Sequence, residues 1–263
     1  LSFKISAVPF HMWTPDVYEG SPTSVTSFFS VVPKIAAVSV FIRFMHAPFA
    51  NALEQWQIII IFLSIGSMLL GAVAAIGQNN IKRLMAYSSI GHMGYILAGI
   101  STGTISGVQS SLLYLTIYLI MNLGMFGFIF MMKRENVYYE NINDLSGLSK
   151  NSPLLALGFL IILFSLAGIP PLAGFFAKFY VFMSVIESEM YFLAVIGLIT
   201  SVISSFYYLR IIKIMYFDKV AKPFDEDNNF NIKIPVIIST LIILIYFIYP
   251  SSLIDLVDLI KIN

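Results

Sequence analysis

The sequence predicts an all-α fold: a polytopic bundle of transmembrane helices, two of them broken by proline. Three observations lead there. The 263 residues are 58% hydrophobic and only 11% charged, where a soluble domain carries about 25% charged residues. The apolar residues fall into runs of roughly 20, the length that crosses a bilayer, separated by short polar tracts. Two apolar stretches, around Pro9 and around "GIPPLAG" (168–174), contain prolines that a continuous helix does not accommodate. With a mean hydropathy of +0.87, the chain reads as one membrane domain over 1–263.

Residues 1–12 read as the end of one span, and "TPDVYEGSPTS" as a polar turn with Pro15, Gly20 and Pro22 as breakers. Apolar spans follow at 23–45, 56–77, 84–100 and 108–132. A hydrophilic connection, 133–152, leads to a broken span over 153–186. Spans at 190–217 and 234–250 complete the set, with the charged loop "DKVAKPFDEDNN" between them and an amphipathic tail over 251–263. Glycines spread through 66–77 and 91–107 fit close helix–helix contact. Lys82 and Arg83, then Lys133, Arg134 and Lys150, then Lys213, Lys219 and Lys222 fall in alternate loops, which assigns those loops to the cytoplasmic or matrix side. Arg43 falls on the opposite side, near a helix end from which it can snorkel.

Several function classes drop out. The chain has no cysteine, so it offers no disulfide, thiolate metal site or iron–sulfur ligand. His11, His46 and His92 make a poor ligand set for haem or metal, and no glycine-rich phosphate cradle follows a strand. No basic patch suggests nucleic acid. The expectation is a chain without a redox cofactor of its own, with the lipid bilayer as its surroundings. "LSFKISAVPFHMW" reads as a hydrophobic element already under way, so a C-terminal part of a longer protein is expected.

The informative residues are charges where lipid should be. Lys34, in "SFFSVVPKIAAVSVF", lies about eleven residues from either end of its span, some 16 Å at 1.5 Å per residue. That is farther than a lysine stem can snorkel. A lysine at the centre of a membrane helix costs roughly 3 kcal/mol on insertion scales, so it must face protein or water and by default marks an ion pathway. Pro33 removes a backbone donor beside it and frees the carbonyl near Phe29. The alternative is that Lys34 pairs with an acid on a neighbouring helix for packing alone.

Lys178 is the second case, about ten residues after the Pro170–Pro171 break. Irregular backbone at membrane depth is tolerated where it is buried in protein or lines a wet cavity, and discontinuous helices are where transporters hold ions. The alternative is a structural kink with a lysine near the headgroups. Lys4, five residues before Pro9, repeats the pattern more weakly, its depth undetermined.

Polar residues also recur at helical spacing: Ser88, His92 and Tyr95; Tyr114, Tyr118 and Asn122; Ser201, Ser205 and Tyr208. Ordinary interhelical hydrogen bonding explains the tyrosine and serine stripes. His92 differs, since an imidazole both gives and takes a proton near neutral pH, although a satisfied structural histidine is the competing reading. No carboxylate lies within a complete span: Asp16, Glu19, Glu54, Glu187 and Glu189 all sit at span ends. An acid balancing the lysines is therefore expected on another chain or on an upstream helix.

The stretches "VPFHMWTPDVYEGSPTSVTSFFSVVPKIA", "NIKRLMAYSSIGHMGY" and "SLAGIPPLAGFFAKFY" together resemble the antiporter-like membrane subunits of proton-pumping NADH:quinone oxidoreductase, respiratory complex I. The wording "PFHMWTPDVYEG" favours the N type over its L and M paralogues. The resemblance runs from residue 1 to about 217. It implies an antiporter-like bundle of two inverted repeats, with 1–45 ending the first, 54–217 forming the second and 230–263 the final helix and tail. It implies that Lys4, Lys34 and Lys178 carry translocated protons, with His92 as a possible relay. The family's glutamate partner for the first lysine would lie upstream of residue 1. It further implies a subunit of a translocase enzyme whose NADH, FMN, iron–sulfur clusters and quinone are bound by partner subunits. Its partners would be the other membrane subunits, with quinone coupled indirectly.

Two rival readings share these features. A multi-subunit cation/proton antiporter or membrane-bound hydrogenase would carry the same lysines and broken helices, and a passive structural subunit would carry the lysines without using them. The bias toward Ile, Lys, Phe and Asn suggests an AT-rich genome, hence a bacterial inner membrane or, as the alternative, the mitochondrial inner membrane.

Overall fold

A computed structural model describes residues 1–135, 137–225 and 230–259. The first twelve residues run as turns and not as the end of a helix, which corrects the span expected there. Ser6 adopts φ 61°, and Pro9 has no N–H to give, so a regular helical ladder cannot pass through them. The expected polar turn after them is also corrected. It is helix through Gly20 (α1, Trp13–Gly20), because Pro15 falls in the first turn, where its missing N–H would find no intrahelical partner anyway.

Helices α2 (Thr23–His46), α3 (Leu53–Ile76), α4 (Ile81–Ser101) and α5 (Ile105–Met131) follow the expected spans closely. The hydrophilic connection holds a minimal antiparallel hairpin, β1 (Lys133–Arg134) with β2 (Val137–Tyr138), a 3₁₀ turn (Ile142–Leu145) and the short α6 (Leu148–Asn151). The broken span is α7 (Pro153–Ala167) and α8 (Ala173–Glu187). Then come α9 (Tyr191–Phe217), α10 (Phe230–Ile245) and α11 (Ser251–Asp258). Residues 226–229 of the predicted charged loop and 260–263 of the predicted tail lie outside the described residues.

Among the described residues, four helices, α2, α3, α5 and α9, are long and apolar enough to cross a membrane. Large apolar side chains stand exposed on outer faces, among them Ile59, Phe62 and Val73 on α3 and Val202 and Phe206 on α9. Such surfaces suit lipid rather than water. Helix α4 is the exception: every residue from Ser88 to Ser101 is buried. It packs against α1, α3, α5 and α8, so its polar side chains face protein.

The approach of α3 to α4 is close enough to require glycine. A Cβ at Gly71 would stand 2.5 Å from the Gly91 amide nitrogen and 2.8 Å from the Tyr87 carbonyl oxygen, both backbone atoms. Small residues that let backbones approach are the usual basis of helix association in lipid.

The two ends of the bundle differ in charge. At one end, Arg210 donates to the carbonyls of Ile76 and Gln78, Ile81 N–H to that of Glu140, and Gly147 N–H to that of Ile214. These contacts gather the loops carrying Lys82, Arg83, Lys133, Arg134, Lys150, Lys213, Lys219 and Lys222 onto one face. At the other end, Gln57 donates to the Ser101 carbonyl, and Glu187 and Asp258 line one small cleft. The alternation of basic loops thus corresponds to a real asymmetry.

Overpacking a tight interface costs about 1–3 kcal/mol. Gly71→Val is therefore expected to separate α3 from α4 and to lower the amount of assembled protein in membranes severalfold, measured by native electrophoresis beside an outward-facing control, Val73→Leu.

Candidate functional site

The helix break creates the environment of Lys178. Helix α7 ends at Ala167 because Gly168 takes φ 85°, a left-handed conformation that suits glycine. Its N–H then turns back onto the carbonyls of Phe164 and Ser165. With Pro170 and Pro171 following, the Ala167 carbonyl has no amide to receive. Lys178, on α8, supplies the missing donor: its Nζ donates to Ala167 O at 2.8 Å and to Ser201 Oγ on α9 at 2.9 Å. The side chain is buried, with Nζ 5.3 Å from the centre of the Tyr95 ring. A hydrogen bond involving a charged group is worth about 1.5–3 kcal/mol, so two match the roughly 3 kcal/mol insertion cost of a lysine. A cation is also favoured at a helix C-terminus.

Lys34 is more deeply buried, at 1% exposure. Its Nζ donates to Ser89 Oγ on α4 and lies 5.6 Å from the centre of the Tyr18 ring. None of the ion pairs among the described residues involves Lys34 or Lys178. The Tyr18 and Tyr118 hydroxyls approach Ser89, yet both are buried without a closed hydrogen bond, which is uncommon for buried polar groups.

His92 sits between the two lysines on α4. Its Nδ1 is 2.7 Å from the Tyr114 hydroxyl and its Nε2 is 3.2 Å from that of Tyr208. Tyr208 is in turn 2.5 Å from Ser88 Oγ. The ring packs against Tyr118 at 5.0 Å between centres. In a neutral imidazole one nitrogen donates and the other accepts, so His92 can pass a proton between two hydroxyls on different helices.

Helix α4 is thus the common rail. Ser89 holds Lys34, His92 lies three residues on, and Tyr95 underlies Lys178 after three more. Six residues of helix cover about 9 Å. Of the three sequence stripes, Tyr114 and Tyr208 bond to this rail at His92 and Ser88; Ser201 and Ser205 reach Lys178 and the Ala167 carbonyl instead, and Asn122 donates to the Tyr118 carbonyl of its own helix. Lys4 is not brought to the row: it is exposed in the turns before α1.

Sequence patterning misses Ser89, because a serine beside a better-placed serine carries no signal of its own. It also misses that Lys82 is buried, paired with Glu140 at 2.6 Å, and that Arg83 pairs with Asp16 and Glu19 at 2.8 and 2.7 Å. These partners are tens of residues apart in the chain, and only the packing joins them.

Gly168→Ala would strain the φ 85° position by roughly 1–2 kcal/mol and bring a methyl within 2.9 Å of Lys178 Cδ. The expected result is a lower thermal midpoint for the membrane protein, read by thermal-shift fluorescence, with Gly77→Ala, where a Cβ has open space, as the control.

Known proteins resemble this chain in sequence and in fold. A family described as "NADH:quinone oxidoreductase/Mrp antiporter, TM" matches residues 1–204. NADH-quinone oxidoreductase subunit N of Pelagibacter ubique is 64% identical over 262 residues, which cover 100% of this chain and 56% of that protein. The subunit N of Rhodospirillum rubrum is 55% identical over 97% of this chain and 52% of its own length. The chain spans about half the length of the curated relatives it matches. Among solved structures, a chain of respiratory complex I from Thermus thermophilus with bound aureothin superposes with a TM-score of 0.82 at 32% identity, covering 97% of this chain and 56% of that one. A chain of the Mrp complex from Dietzia sp. shares the fold at a TM-score of 0.87 and 21% identity, over 97% of this chain and 56% of its own.

Proposed function

This chain belongs to the NADH:quinone oxidoreductase/Mrp antiporter transmembrane family, and from that premise we propose that it translocates protons as an antiporter-like membrane subunit of NADH:quinone oxidoreductase. It is a multi-pass protein of the bacterial inner membrane. The carrying observation is the row Lys34–Ser89–His92–Tyr95–Lys178 on and around α4, buried and built from groups that exchange protons. An amine with hydroxyl and carbonyl partners but no carboxylate exchanges its proton in response to the charge of its neighbours. Quinone reduction elsewhere in the complex would shift that charge, and each lysine would follow its neighbour.

The protein's own atoms supply the steps. Lys178, held by the end of α7, gives its proton to water at the helix break, and the Ala167 carbonyl and Ser201 hydroxyl keep the amine in place. His92 passes protons between the Tyr114 and Tyr208 hydroxyls. Waters beside Tyr18 and Tyr118 join Ser89 to His92, which also satisfies those hydroxyls. Residues 54–217 act as the second repeat and 1–45 as the end of the first, with 230–263 as the final helix and tail. Lys4 is assigned to the same pathway on the resemblance alone. NADH, FMN, iron–sulfur clusters and quinone belong to partner subunits.

The N-type wording at residues 8–20 and the 64% and 55% identical relatives favour this over a multi-subunit cation/proton antiporter. A passive structural subunit is separated by experiment. Lys34→Met and Lys178→Met are each expected to abolish translocation by this subunit while the complex assembles and reduces quinone, measured as quinone-dependent acidification of inverted vesicles against the amount of assembled complex. Unchanged acidification in both variants would leave the passive reading.

A further inference from the structure

We propose that the crevice between α5, α7 and α10 seats one phospholipid from the leaflet on the basic side, with a head group that joins a phosphate to a primary ammonium, as in phosphatidylethanolamine. This goes beyond the pumping reading and does not depend on it.

The crevice has a volume of about 710 Å³, and its polarity changes along its length. Ser152, Asp225 and Lys233 line the end that lies with the basic loops, and Ile161, Leu241 and Leu244 line the far end. Thr240, on the way, donates its hydroxyl proton to the Val236 carbonyl at 2.8 Å. Gly158 keeps the floor low, since a Cβ there would stand 3.1 Å from the Phe128 ring. Leu154 and Leu157 on α7, with Ile237 and Leu241 on α10, stand exposed along the walls. The crevice therefore opens sideways, where lipid lies.

Its depth selects the occupant. From Lys233 to Leu244 the wall formed by α10 runs about 16 Å at 1.5 Å per residue. The hydrocarbon core is roughly 30 Å thick, so the crevice is one leaflet deep. A partner helix crossing the membrane needs a groove through both leaflets, whereas an acyl chain ends where this groove does.

The charges at the mouth select the head group. Lys233 is half-buried and belongs to none of the ion pairs among the described residues. Its ammonium suits a phosphate, which it binds as a point charge. Asp225 is anchored at the same mouth: its N–H donates to the Lys133 carbonyl at 2.8 Å, and the neighbouring Phe224 ring lies 4.7 Å from the Arg134 guanidinium. A carboxylate offers about four acceptor sites, so Asp225 can take an ammonium beside the contact it already has. A purely anionic head group would meet this carboxylate as a like charge. A primary ammonium gives it N–H donors, which a quaternary one lacks.

The test uses the full-length protein with its partners, reconstituted in vesicles of equal parts phosphatidylethanolamine, phosphatidylglycerol and phosphatidylcholine. A benzophenone side chain replaces Leu241, and photo-crosslinked species are identified by mass spectrometry. The same probe at Val202, an exposed residue of α9, reports the bulk bilayer. Phosphatidylethanolamine is expected to be enriched about threefold at Leu241 over Val202, the scale of one partly exposed ion pair. Lys233→Gln is expected to remove the enrichment, and Asp225→Asn to turn the preference toward phosphatidylglycerol. Crosslinks to protein in place of lipid, a head-group composition equal to that at Val202, or enrichment indifferent to both variants would overturn the proposal. The probe at Leu157, on the opposite wall, gives the same readout if the Leu241 variant does not assemble. Failure of the pumping reading appears separately, as unaltered acidification in Lys34→Met, and leaves this crosslinking pattern unchanged.

Discussion

The structure is organised around the need to hold an amine inside a bilayer. Lipid offers a lysine no hydrogen-bond partner, so protein must supply one, and the cheapest source is a backbone carbonyl that its own helix has released. Gly168 and the two prolines end α7 within the bundle, and the Ala167 carbonyl they leave unpaired is the one Lys178 takes. The break and the charge are therefore one device. Without the lysine that carbonyl would keep only the longer bond from Ser205 Oγ, at 3.4 Å, and without the break the lysine would lack its closest acceptor.

Lys34 meets the same constraint differently. Its helix runs unbroken from Thr23 to His46 despite Pro33, so no helix end lies within reach. It relies on one hydroxyl, Ser89, and the face of Tyr18. A cation over an aromatic ring gains about 0.5–2 kcal/mol, less than two charged hydrogen bonds. The two lysines thus differ in how firmly their charge is held.

Helix α4 explains why the polar groups can coexist. It carries Ser88, Ser89, His92 and Tyr95, too polar a helix for lipid, and α1, α3, α5 and α8 enclose it. Glycines at 71 and 91 let α3 lie against it at backbone contact. Its first turn is fastened by charge, Lys82 to Glu140 and Arg83 to Asp16 and Glu19. The helix that carries Ser89, His92 and Tyr95 is thus also tied by ion pairs to α1 and to the connection after α5.

Much of this was legible from composition and spacing. Runs of apolar residues set the spans, since the hydrocarbon thickness admits few other lengths, and the helices from α2 to α9 begin and end within a few residues of the expected positions. Lys34, Lys178 and His92 stood out because charge and imidazole are rare at membrane depth. The first twenty residues were misread: a proline at the third position of a helix looks like a breaker until its place in the first turn is known. What only tertiary structure decided is partnership. Ser89, Glu140 and the Ala167 carbonyl belong to types and positions that carry no local signal, and they matter because packing sets each against a buried amine. Hydrophobic periodicity is a property of the chain, whereas the satisfaction of a buried charge depends on groups brought from other helices.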